Sequence, residues 1–87
     1  MGLTEQMRRA CASIPTNIAE GCGREGDREL KHFLSIARGS ASELEYHLQL
    51  ARDLNYLPPS DHERLTNEVT ELRRMLTVFI QKLKPDA

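Results

Sequence analysis

The chain has 87 residues, 12 of them basic and 13 acidic, for a formal net charge of −1. That length holds one domain with a thin stability margin, one that assembly with partners can widen. Its evenly spread, balanced charge excludes a global field for nucleic acid or anionic lipid, and no apolar run approaches the ~20 residues needed to cross a bilayer. With no charged region followed by an apolar one at the N-terminus, a cytoplasmic location is the expectation.

The first predicted helix starts at Leu3, because Leu3, Met7, Ala10, Ile14 and Ile18 recur at helical steps of three and four. Pro15 interrupts this stripe: it removes a backbone donor and crowds the carbonyl of Cys11. Either the helix restarts at Pro15 with Ser13 as N-cap, or neighbouring helices hold a kinked rod in place. Cys11 and Cys22 are too far apart along a helix for a disulfide and read as two small buried thiols. The turn Gly21-Cys22-Gly23-Arg24-Glu25-Gly26 spells G-x-G-x-x-G, yet a helix precedes it where the dinucleotide fingerprint needs a strand. It is read as an interhelical turn with glycines for positive φ.

Asp27 is the expected N-cap of a second helix running to about Asn55. Leu30, Leu34, Ala37, Ala41, Leu44, Leu48 and Ala51 alternate steps of four and three, a heptad seam for left-handed bundle packing. A second stripe, Phe33, Ile36, Ser40, Glu43, His47, Leu50 and Leu54, widens the face beyond what one neighbour can bury. Tyr56-Leu57-Pro58-Pro59 breaks the helix. Ser60-Asp61-His62-Glu63 fits a capping box opening a third helix, whose seam is Leu65, Val69, Leu72, Leu76, Phe79 and Leu83. Lys82 and Lys84 complement its C-terminal dipole before Pro85 ends it. The fold class expected is all-α: an antiparallel up-and-down bundle with three long helices in one domain, 1–87.

Several residue sets carry potential chemistry. Asn17 and Glu20 lie one turn apart, and Ser40, Glu43 and His47 share one stripe. They are read as a buried polar cluster that fixes register or meets a partner, with Gly39 and Ser40 permitting close approach. Glu29-Leu30-Lys31-His32 supplies a single Glu-x-x-His where a di-iron bundle needs two, so no metal or cofactor is implied. Arg8, Arg9, Arg24, Arg28 and Lys31 form the one basic cluster, a weak candidate for anion or nucleic-acid contact. Nearby carboxylates and a Phe33 expected to be buried favour a salt-bridged surface instead. No nucleophile, base and orienting group are spaced as an enzyme requires.

The segments Gly2-Leu3-Thr4, Gln6, Arg8-Arg9-Ala10, Ser13-Ile14-Pro15-Thr16-Asn17-Ile18-Ala19-Glu20-Gly21 and Ala37-Arg38-Gly39-Ser40-Ala41-Ser42-Glu43-Leu44-Glu45 resemble a known family. These are the bacterial four-helix-bundle proteins first met as products of intervening sequences in large-subunit ribosomal RNA genes. The resemblance spans Gly2 to about Leu83 and implies an up-and-down bundle assembling into a homo-oligomeric ring, typically a pentamer. A relative in diversity-generating retroelements binds a reverse transcriptase and nucleic acid. Family members usually carry a further helix before the glycine-leucine-threonine segment, so this chain is expected to be a four-helix bundle without its first helix. The function expected is a non-enzymatic oligomeric scaffold or interaction protein; the alternative is a nucleic-acid-associated accessory protein similar to the reverse-transcriptase partner.

Overall fold

A computed structural model describes residues 2–83 as three helices and no strand, α1 (Leu3–Cys22), α2 (Asp27–Asp53) and α3 (Pro59–Lys82). The all-α class and the up-and-down order thus follow the heptad spacing. Lys84 and Pro85 lie outside the described residues. The connections are short, so neighbouring helices run antiparallel. α1 and α3 both pack on α2, and no Cα of α1 lies within 8 Å of a Cα of α3. The result is a slab of 44 × 25 × 15 Å with α2 along the corner of an L.

The seam on α2 forms the core as its spacing requires. Ala41, Leu44 and Leu48 are buried with Ala10 and Ile14 of α1 and Val69 of α3. Towards the other end, Leu34 and Ala37 close on Leu76 and Ile80. α1 runs unbroken through Pro15, so the helix does not restart there. Ala10 and Ile14, buried before the proline, and Ile18, packed on the core after it, anchor both halves of α1 on the rest of the bundle. That packing offsets the lost hydrogen bond, which costs about 3 kcal/mol in an isolated helix.

The helix ends depart from expectation in three places. Gly26, at φ 85, is the N-cap of α2, which makes Asp27 the first helical residue instead of the cap. α3 begins at Pro59 with no side-chain cap bond, so Ser60 and Glu63 do not close a capping box. A proline at the first helical position is pre-set for the helix and has no N–H to satisfy. α2 stops at Asp53, short of Asn55, because Asn55 turns left-handed at φ 63. Tyr56 N–H then donates to Ala51 O (2.9 Å) and Asn55 N–H to Arg52 O (3.0 Å), the two bonds of a Schellman motif.

Two further corrections concern small residues. Cys11 and Cys22 are exposed, not buried: Cys11 lies on the side of α1 that faces the open corner of the L, and Cys22 is the last residue of α1. The close approach of α1 and α2 is made at Gly21, where a Cβ would lie 3.0 Å from Phe33 Cβ and 3.1 Å from Leu30 Cδ1. Gly39 is exposed, and a Cβ there would meet nothing within 4 Å.

Candidate functional site

The expected polar cluster separates into three groups along the α1/α2 face. Ser40 bonds to Ser13 through their hydroxyls at 2.7 Å, and Asn17 Nδ2 donates to Ser13 Oγ at 3.0 Å and to Ser13 O at 2.8 Å. This half-buried serine–serine–asparagine link ties the middle of α1 to α2. Asn17 and Ser40 therefore share a network through Ser13. Glu20 leaves it, accepting instead from Arg24 Nη2 at 2.6 Å across an exposed helical turn. The Arg24 guanidinium also stands 5.1 Å from the ring centroid of Phe33, a cation–π contact on a ring that is half-buried, not buried as expected.

Glu43 and His47 form the third group, away from Asn17. Glu43 is exposed, not buried as its stripe suggests. α1 covers the side of α2 that carries Phe33, Ser40 and His47, and leaves open the side that carries Ile36 and Glu43. With Gln6 and Arg9, the two residues line a polar pocket of about 270 Å³. His47 is 6% exposed, and its Nδ1 has no hydrogen-bond partner.

The basic residues do not make a clear phosphate track. Arg8 and Arg9 both lean on Glu5, at 3.5 and 3.7 Å, and Arg24 is held by Glu20. Arg28 is exposed and Lys31 half-buried. Among the described residues, no three His, Cys, Asp or Glu side chains converge as metal ligands, and Glu29 and His32 both point to solvent. No helix among them is long and apolar enough to cross a membrane.

One group escaped the sequence reading. Glu45 accepts from Arg73 Nε at 2.7 Å and from Thr70 Oγ1 at 2.7 Å, a half-buried bridge between α2 and α3. Its signal was present: Glu45 flanks Leu44 of the seam, where opposite charges pair across coiled-coil-like interfaces. The largely apolar groove between α1 and α3 was also not foreseen as a shape. It measures about 460 Å³, with Cys11, Pro15 and Ile18 on one wall, Val69 and Leu72 on the other, and Leu44 lining it from α2. Met75 and Phe79, 60% and 44% exposed, extend the apolar surface of α3.

These features define an antiparallel α-helical bundle with polar links between helices and one open apolar corner. Comparison then places it: the chain belongs to the 23S rRNA-intervening sequence protein family, which it matches over residues 1–78. It is similar to the crystal structure of a protein of unknown function from the S23 ribosomal protein family of Bacteroides thetaiotaomicron. The two are 28% identical with a TM-score of 0.91, covering 94% of this chain and 73% of that one. No curated protein matches the sequence.

Proposed function

We propose that this protein is a non-enzymatic scaffold that acts by assembling, with copies of itself and through them with a partner protein. The observation that carries the reading is the open corner between α1 and α3. There a groove of about 460 Å³, lined mainly by apolar side chains, faces solvent where a bundle helix ordinarily packs. A small domain with so much exposed apolar surface gains stability by covering it. The balanced charge of the chain, 12 basic against 13 acidic residues, weighs against a nucleic-acid role.

Light scattering coupled to gel filtration at micromolar concentration tests this. The expected mass is a multiple of the chain, with the ring of five implied by the family resemblance as one specific value to look for. A monomer with a cooperative thermal melt would overturn the reading.

A further inference from the structure

The polar pocket on the α1/α2 face has a chemistry that the bundle itself does not use. It measures about 270 Å³ and is lined by Gln6 and Arg9 of α1 and by Glu43 and His47 of α2. Arg9 and Glu43 bring opposite charges to one pocket yet make no ion pair with each other. Arg9 reaches only Glu5, at 3.7 Å with both side chains solvated, and among the described residues Glu43 has no hydrogen bond or ion pair. A metal ion fits this set poorly. Glu43 and His47 lie four residues apart on one helix, but among the described residues no third ligand converges with them, and the Arg9 guanidinium repels a cation.

His47 sets the polarity of the pocket. It is 6% exposed, and its Nδ1 is shut away from solvent with no hydrogen-bond partner. A proton on Nδ1 would be a buried donor with nothing to receive it, and an orphaned N–H is rarer in folded proteins than an orphaned acceptor. The neutral ring therefore carries its proton on Nε2, the nitrogen that is not enclosed in this way and that no other described residue engages. The pocket thus offers N–H donors from His47, Arg9 and Gln6 together with one carboxylate. Tyr46, three residues along α2 from Glu43 and 65% exposed, holds its ring 5.9 Å from that of His47 and adds an aromatic surface beside the site.

We propose that this pocket binds a free α-amino acid in its zwitterionic form, with the carboxylate on Arg9 and the Nε2–H of His47 and the ammonium on Glu43. A single molecule bearing both charges spans two side chains that do not reach each other, and charge-assisted hydrogen bonds are the stronger class. The pocket has the volume of about nine waters in the liquid, enough for a small aliphatic amino acid. This site goes beyond the scaffold reading and does not depend on it.

Isothermal titration calorimetry with L-leucine tests it, with N-acetyl-L-leucine as the probe that lacks the ammonium and L-leucinamide as the probe that lacks the carboxylate. Leucine is expected to bind with a dissociation constant of about 1 mM or tighter, and each analogue about tenfold or more weakly. Glu43→Gln is expected to abolish the preference for leucine over its acetylated form, and Arg9→Gln the preference over the amide. Both residues are exposed, so both variants keep the fold, which circular dichroism checks. Imidazole nitrogen NMR is the independent arm: His47 is expected as the Nε2–H tautomer, with the Nε2 resonance moving as leucine is added. Analogues that bind as well as leucine, variants that keep the preference, an Nδ1–H tautomer, or no saturation at about 10 mM leucine each overturn the site. The scaffold reading is judged by mass alone and survives any of these results.

Discussion

Gly21→Ala and Gly39→Ala place the same methyl group on two helical glycines, with opposite expected effects. Alanine is favoured over glycine inside a helix by about 0.5–1 kcal/mol. At Gly39 that gain is unopposed, because a Cβ meets nothing within 4 Å. For a domain of this size each kcal/mol moves the melting temperature by about 4–8 °C, so a rise of roughly 2–8 °C is expected. At Gly21 the new Cβ would stand 3.0 Å from Phe33 Cβ, an atom fixed to the backbone of α2. The helices must then part, and overpacking of this kind costs about 1–3 kcal/mol. Gly21 lies next to the last residue of α1, where helix propensity counts for less, so a net loss of about 1–2 kcal/mol and a fall of roughly 4–16 °C are expected. Thermal melts by far-UV circular dichroism, at concentrations low enough to dissociate any assembly, measure both. If Gly21→Ala melts higher than the original chain, the close crossing of α1 and α2 is wrong.

Leu44→Asp puts a charge into the cluster shared by all three helices, where nothing pairs with it, and is expected to abolish cooperative unfolding; a retained helical signal with a sharp melt would refute that placement. Removing the bridge with Glu45→Ala is expected to cost about 1–2 kcal/mol, discounted for its partial exposure. A double-mutant cycle in urea with Arg73→Ala should show coupling of about 0.5–1 kcal/mol, and strict additivity would remove the bridge from the account. Asn55→Ala is expected to lower stability by about 1 kcal/mol because Asn55 is left-handed at φ 63, whereas Asn55→Gly should be at least neutral. The reverse order in denaturant melts would exclude the Schellman motif.

The heptad spacing of α2 made the class, the helix order and most of the core legible, because burial on a helix follows periodicity directly. Leu34, Ala37, Ala41, Leu44, Leu48 and Ala51 are all enclosed. The second stripe was less decidable, since periodicity says how wide an apolar face is but not which neighbour lies on which flank. α1 took the flank of Ser40 and His47, and Glu43 was left in solvent. The polar cluster divides for the same reason, with Asn17 and Ser40 linked and Glu20 and Glu43 apart from them. Ser13, absent from the expected set, became the atom through which Asn17 and Ser40 meet. Cysteine exposure was not legible either, because it depends on the open corner between two helices far apart in sequence.

The arrangement of the helices has a consequence for how the chain unfolds. Among the described residues no Cα of α1 lies within 8 Å of a Cα of α3, so the backbone interfaces are in series, α1 to α2 and α2 to α3, and only side chains bridge the two outer helices. A three-sided bundle releases any helix only by breaking two close interfaces, whereas here either outer helix is held chiefly through its interface with α2. Opening free energies measured by hydrogen exchange should therefore rank α2 as the most protected segment, with the two outer helices opening independently of each other. Any partner that seats in the groove between α1 and α3 would join the two free ends and turn a linear chain of contacts into a closed one.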